Sequence, residues 1–353
     1  MLPLDKYFHP VLESAKLRKK PVSIELDARV SSERIVLFRT QSGVVSALAD
    51  RCPHRSSPLS LGTVNENSLL CPYHGWSVDL DGAVKHPISG RMKNCRVQTY
   101  SVHELNGLIW LATRPSAKRA SVPSNEWIHV GGFELEIAAP LELVLDNFNE
   151  DEHFPYVHKV LGWDRNGAKD VQFSFTPRED SIEVNYRGLQ REFWGKSLFL
   201  SPKGAFLNNR WTVNFDPVRI SYTATTTDKN GLQISPIRQH VVIYFVPHGN
   251  GRTVLRVIQY STLGSEKWNS FVKVLGPVIV RLTKWDLKFD KRLLEAMVKS
   301  GMDETAPIRF GEYDQPLFHA RKMLRRNYWN DHRFSGQVDG APELIERPDH
   351  PEH

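Results

Sequence analysis

A chain of 353 residues, 40% hydrophobic and 24% charged, is long enough for two ordinary domains and has the balance of a soluble globular protein. Its three cysteines are too few for a disulfide scaffold and suit a reducing compartment. The net charge of +6 is uneven: residues 1–120 carry 17 Lys and Arg against 10 Asp and Glu, and the remainder is close to neutral. No nucleic-acid motif accompanies that excess, and no apolar run approaches the ~20 residues of a membrane helix. Met1-Leu2-Pro3-Leu4-Asp5 lacks the basic-then-apolar signal pattern, so a cytoplasmic protein is expected.

The first third reads as β-structure. Val22–Leu26, Arg34–Arg39 and Val44–Ala49 are short β-branched or alternating runs. Gln41-Ser42-Gly43 is the turn between the second and third. Asp79-Leu80-Asp81-Gly82 is a turn signal between two further runs. Gln98–Val102 and Leu108–Ala112 complete a small all-β domain over residues 1–120. Thr113–Ser124, rich in Pro, Ser and basic residues, has the composition of a linker.

Two segments of this domain carry chemistry. Cys52-Pro53-His54-Arg55 offers C-x-H, and Cys71-Pro72-Tyr73-His74-Gly75-Trp76 offers C-x-x-H after a gap of 16 residues. Two thiolates and two imidazoles in matched half-sites are the ligand set of a Rieske [2Fe–2S] centre, with two Cys on one iron and two His on the other. Structural zinc is the competing reading, but zinc sites pair Cys with Cys and His with His at short spacing. Gly75 would let the backbone approach the cluster, and Trp76 could shield it. Cys95 has no partner at useful spacing and reads as a small apolar residue. Arg51, Arg55, Lys85, Arg91, Lys93 and Arg96 lie in or near the ligand loops, where a basic surface would steer an acidic electron donor.

Residues 121–335 read as a second domain and 336–353 as a polar tail. Leu141–Glu152 has helical character. Val171–Phe175, Ile182–Tyr186, Trp211–Phe215, Ile220–Thr225, His240–Phe245 and Thr253–Tyr260 suggest one large antiparallel sheet. Ser265–Lys299 reads as helix, interrupted at Gly276-Pro277. In the segment Asp146–His158, His153 and His158 sit five apart in an acidic stretch. On an ideal helix they would be rotated by about 140°, and Pro155 between them could bend the chain to bring both onto one metal. A 2-His-1-carboxylate triad needs one more acid and leaves positions open for O2. Asp286, Asp290 and Glu295 all offer one.

These segments resemble the oxygenase component of Rieske non-haem iron oxygenases, of the dicamba and vanillate O-demethylase type, over nearly the whole chain. Asn147–His158 resembles the pattern N-x-x-D-x-x-H-x-x-x-x-H, and Asp290–Glu295 resembles D-x-x-x-[LI]-E. The resemblance implies an α+β chain: an N-terminal all-β Rieske domain, then a helix-grip catalytic domain with a large antiparallel sheet. It implies a cluster on Cys52, His54, Cys71 and His74, and a mononuclear Fe(II) on His153, His158 and Asp290, with Asn147 supporting and Asp286 and Glu295 structural. The acid three residues before the first iron His, usually Asp, is Glu150 here. The family role of that position is to bridge an iron His and a cluster His of the neighbouring subunit, and Asp151 is the alternative bridge. The implied assembly is a homotrimer. The implied reaction is O2-dependent hydroxylation or oxidative demethylation of a small organic substrate. Electrons would come from NAD(P)H through a separate reductase or ferredoxin, because the chain has no Gly-rich nucleotide fingerprint. Arene cis-dihydroxylation is the nearest alternative. A pure electron carrier and a zinc-stapled binding protein are alternatives of other classes. Phe193–Phe215 holds candidate pocket walls, with Asn208-Asn209 a turn or a polar anchor.

Overall fold

The computed structural model describes all residues except 121–122, 125, 160, 193–201, 264–268, 304–310 and 331–353. The expected polar tail, the first residues of the expected long helix and part of the expected pocket wall therefore lie outside the described residues. The chain forms two compact units, one of Met1–Val122 with Val246–Val254, the other of Pro123–Phe245 with Leu255–His353. No described helix is long and apolar enough to cross a membrane.

The first unit opens with a one-turn helix, α1 (Pro3–Lys6), and the described residues up to 120 form eleven strands: β1 (His9–Glu13), β2 (Val22–Ile24), β3 (Ile35–Arg39), β4 (Val45–Ala49), β5 (Thr63–Asn65), β6 (Ser68–Leu70), β7 (Ser77–Asp79), β8 (Ala83–His86), β9 (Gly90–Arg96), β10 (Thr99–Leu105) and β11 (Leu108–Ala112). They make a six-stranded sheet in the order β1-β11-β10-β4-β3-β2 and a five-stranded meander, β5 to β9. The meander's expected turn at Asp79–Gly82 forms between β7 and β8, with Gly82 donating its N–H to the Asp79 carbonyl at 2.9 Å. Gly82 has φ +81°, and a Cβ there would lie 2.2 Å from the Val97 carbonyl oxygen, so no other residue fits. Val36, Phe38, Leu48, Leu69, Val78 and Val84 from both sheets pack into one core that also includes Cys52 and Cys71, with Cys95 at its margin.

The second unit is built on a seven-stranded sheet. Its strands are β12 (Ile128–Ile137), β13 (Gln172–Pro177), β14 (Ser181–Leu189), β15 (Phe206–Phe215), β16 (Val218–Thr227), β17 (Arg238–His248) and β18 (Arg252–Thr262). The order β12-β18-β17-β16-β15-β14-β13 is a meander whose last strand returns to β12. Residues in register alternate faces, so Asn209, Ala224 and Gln239 form one cross-strand row and Trp211, Tyr222 and Val241 the next. Asn208 and Asn209 therefore lie mid-strand in β15 and make no turn. β12 was not foreseen, because its Gly131-Gly132 pair reads as a breaker.

Helix α2 (Leu141–Phe148) follows Pro140 and buries nearly every residue. It stops four residues short of the expected Glu152, because Asn149 leaves helical geometry at φ −106°, ψ 18°. A one-turn helix α3 (Phe154–Val157), the long α4 (Asn269–Lys299) and α5 (Gln315–Met323) complete the unit. α4 is continuous through Pro277, contrary to the expected interruption. Tertiary packing outweighs the lost hydrogen bond: α4 lies so close to β12 that a Cβ on Gly276 would sit 2.7 Å from the Val130 carbonyl oxygen.

Candidate metal centres

The two loops of the first unit have the same hydrogen-bonded closure. In each, the Cys N–H donates to the carbonyl five residues on, Cys52 to Ser57 at 2.9 Å and Cys71 to Trp76 at 2.8 Å. The residue four positions on donates back to the Cys carbonyl, Ser56 at 2.9 Å and Gly75 at 3.1 Å. That closure requires left-handed backbone at the fourth position, and Ser56 (φ +58°) and Gly75 (φ +69°) supply it. The glycine in the second loop thus answers a backbone requirement. Arg51 Nε donates to Ser56 Oγ at 2.9 Å, tying down the non-glycine case.

Cys52 and Cys71 are buried at 2% and 3% exposure, while both His are exposed. Burial, and the neighbouring Cys71, push the Cys52 thiol up, while the N–H groups of His54 and Arg55 pull the other way. The His54 and His74 rings lie 4.6 Å apart. Trp76 stacks flat on His54, with centroids 4.6 Å apart. Asp50, just before the first loop, accepts from Ser60 N (2.7 Å), Ser60 Oγ (2.8 Å) and Ser23 Oγ (2.7 Å), fixing the loop to the sheet. Two adjacent buried thiols and two surface imidazoles on twin loops fit a [2Fe–2S] centre. Of the basic residues near these loops, Lys85 pairs with Asp79 and Arg96 with Asp81.

In the second unit, His153, His158 and Asp290 come together. His153 Nε2 and His158 Nε2 are 3.1 Å apart, and Asp290 Oδ1 is 3.2 Å from the first and 3.5 Å from the second. Three donors bound at about 2.1 Å and right angles to one metal would stand about 3.0 Å apart, so the triangle fits one face of a coordination sphere. The expected bend at Pro155 is not what builds it. Pro155 sits in the first turn of α3, where its missing N–H is not needed. His153 precedes that single turn and His158 leaves it in extended geometry (φ −80°, ψ 153°), so the two rings converge from its ends.

The surrounding carboxylates have distinct places. Glu150 Oε1 pairs with His153 Nδ1, and its Oε2 accepts from His153 N at 3.1 Å. With Nδ1–H donating to Glu150, Nε2 is left as the metal-binding lone pair. Asp286 is fully buried; its Oδ1 accepts from Lys159 N at 2.8 Å and its Oδ2 from Leu161 N at 2.9 Å. That Oδ2 is also 3.4 Å from His158 Nδ1. Burial works against the Asp286 carboxylate, but His158 and those two N–H groups hold it below the usual range. Asp151 turns away into the sheet, where Asn209 Nδ2 donates to it at 2.9 Å and burial pushes its pKa up to about 7. Asn147 Nδ2 donates to Asp290 Oδ1 at 3.2 Å. Glu295 accepts from Ala138 N at 3.0 Å and pairs with Lys291, outside the triangle. Burial opposes a charge on His153, yet Asp290 and Glu150 outweigh it and raise its pKa to about 10; the site is built to hold positive charge.

A cavity opens beside the triangle. Phe148, Leu161, Leu207, Val241, Ile243 and Leu287 give it apolar walls, and Asn209, Gln239 and Gln259 add amides. Gln259 was not singled out from the sequence. Asp286, offered there beside Asp290 and then given a structural role, shares one helix face with Asp290 at i, i+4 spacing.

Residues 8–101 match the family profile of the Rieske [2Fe–2S] domain. The chain is 32% identical over 169 residues to chlorophyllide a oxygenase of Oryza sativa subsp. japonica, covering 45% of this chain and 30% of that protein. It is 34% identical over 138 residues to the vanillate O-demethylase oxygenase subunit of a Pseudomonas species, covering 36% and 42%. These matches span less than half the length of either relative. A crystal structure of dicamba monooxygenase bound to 3,6-dichlorosalicylic acid is similar in fold, with a TM-score of 0.70 at 19% identity, over 92% of this chain and 98% of that one.

Proposed function

We propose, for a chain of the Rieske non-haem iron oxygenase type, that it is an oxygenase component which uses O2 and externally supplied electrons to hydroxylate or oxidatively demethylate a small organic substrate. The observation that carries the reading is the His153–His158–Asp290 triangle at the mouth of an apolar cavity. Fe(II) held there would supply O2 activation, and a cluster on Cys52, His54, Cys71 and His74 would supply the electrons. Glu150 and Asp286 fix the tautomer and tilt of the two imidazoles. Asn147 keeps Asp290 Oδ1 oriented. Arg191 Nη1 and Nη2 donate to the His158 and Phe154 carbonyls, pinning both ends of the ligand turn. The apolar walls keep bulk water from the reacting centre.

A homotrimer in which Glu150 reaches a cluster His of a neighbouring subunit supplies the electron path in this reading. A reductase or ferredoxin drawing on NAD(P)H is the donor, steered by the basic excess of residues 1–120. Three free cysteines suit a reducing, cytoplasmic setting. The test is iron and acid-labile sulfide per chain on anaerobically purified protein. About three irons to two sulfides is expected. Two irons to two sulfides that do not rise on Fe(II) addition would favour an electron carrier, and zinc without sulfide would sink the proposal.

A further inference from the structure

We infer that the cavity takes a largely apolar, uncharged molecule that presents one hydrogen-bond donor, an N–H or O–H, to the side-chain oxygen of Gln259. The inference deepens the oxygenase reading and rests on it for turnover, but its content comes from the surroundings of one amide. Gln259 lines the cavity from β18 and is only 2% exposed. Its Nε2 donates to Thr283 Oγ1 at 2.8 Å. Thr283 Oγ1 in turn donates to the Ile279 carbonyl, one turn back along α4, at 3.0 Å. A hydroxyl has one proton. With that proton committed to Ile279, Thr283 can only accept from Gln259, and a flipped amide would set two acceptors against each other.

The amide is therefore locked with its nitrogen toward α4. Its oxygen is buried and has no hydrogen-bond partner among the described residues. A bare buried acceptor is unfavourable until a donor reaches it. Arg191, also on the wall, already donates from Nη1 and Nη2 to the carbonyls of His158 and Phe154, so those donors are engaged in the turn. Of the other amides on the wall, Asn147 already donates to Asp290 and Asn209 to Asp151, and Phe148, Leu161, Leu207, Val241, Ile243 and Leu287 supply apolar surface. A site with a fixed buried acceptor discriminates against analogues that lack the donor, because they leave the acceptor unpaired.

The test uses the iron-loaded full chain, anaerobically, with two isosteric pairs that differ only in the donor: indole against benzofuran, and carbazole against dibenzofuran. Calorimetric titration should show the N–H member of a pair binding at least about tenfold more tightly. Gln259→Met should bring the two members to within about twofold by removing the acceptor. Thr283→Val frees the amide to rotate and should weaken the preference while Gln259 stays in place, which guards against a Gln259 variant that fails to fold. Equal affinities within both pairs, no binding of any of the four, or a preference that survives Gln259→Met would overturn the inference. Oxidation is scored separately: donor-dependent binding of compounds that never consume O2 with a reductase present would leave this subsite standing and refute the oxygenase reading.

Discussion

Asp286 shows how much one side chain beside the His153–His158–Asp290 triangle can decide. It is four residues from Asp290 on the same helix, and it binds the backbone just after His158 through two N–H groups. The same carboxylate stands 3.4 Å from His158 Nδ1, so it fixes where the loop after His158 runs and places a negative charge beside that ring. Asp286→Asn keeps the shape but loses the charge and one acceptor. The expected outcome is a 10–100-fold loss of mononuclear iron affinity, the usual scale for an outer partner of a ligating His. Chelator competition measures it, and the cluster's visible absorbance should not change. Iron bound as tightly as in the unaltered protein would mean that Lys159 and Leu161 hold the loop without help. Of this arrangement the sequence singled out the three side chains of the triangle, through the His pair and the resemblance of Asp290–Glu295. It offered Asp286 as an acid beside Asp290 but not its contacts, because a carboxylate that accepts from backbone N–H groups leaves no pattern in the identity of the residues it binds.

At the scale of elements, α4 sets the depth of the site, since Asp286, Asp290 and Thr283 all project from it. Its seat on β12 depends on small residues: Gly276 against the Val130 carbonyl, and Gly131, whose Cβ would come within 3.1 Å of Val280 Cγ2. Helix propensity alone would favour Gly276→Ala by about 1 kcal/mol. The new methyl would instead meet a backbone oxygen at 2.7 Å, which cannot move without shifting β12. The clash wins, and Gly276→Ala is expected to destabilise by about 1–3 kcal/mol, read from the denaturant midpoint; a stabilised variant would show that α4 can ride off the strand at no cost. The same contact explains what sequence patterning missed. Strands β3, β4 and β14 to β18 alternate or are β-branched, and so were legible. The Gly276-Pro277 and Gly131-Gly132 pairs look like breakers locally, and their purpose, close approach of a helix and a strand some 140 residues apart, exists only in three dimensions. Likewise α2 ends at Asn149, whose Oδ1 accepts from Trp211 Nε1 at 2.9 Å, a contact 62 residues away in sequence.

For the molecule as a whole, charge ties acidity to stability. Residues 1–120 carry an excess of basic side chains, and each proton taken up on acidification adds to a unit that is already positive. One uptake is forced into the interior. His9 is fully buried, and its Nδ1–H donates to the Tyr7 carbonyl at 2.9 Å. Burial lowers its pKa from 6.5 to about 4, against the pull of that carbonyl. The unfolded chain therefore binds this proton more readily than the folded one. The stabilisation from keeping His9 neutral is complete above pH 6.5 and is lost as pH falls from 6.5 toward 4. Between pH 7.5 and 5 the loss should be about 2 kcal/mol from this group alone. Asp50 is lowered despite its burial, by its hydrogen bonds from Ser60 and Ser23 and its contact with Arg34, and so acts only below the ordinary carboxylate range. Asp151, pushed up to about 7 by burial, and Asp146, pushed up to about 6, also titrate between pH 7.5 and 5, so it is the difference between the unaltered chain and a His9 variant that isolates the histidine. Denaturant unfolding at the two pH values should show the fall in the unaltered chain and a smaller one, by about 2 kcal/mol, in His9→Leu. An undiminished fall in the variant would assign the acid sensitivity to other groups and leave His9 with a purely packing role.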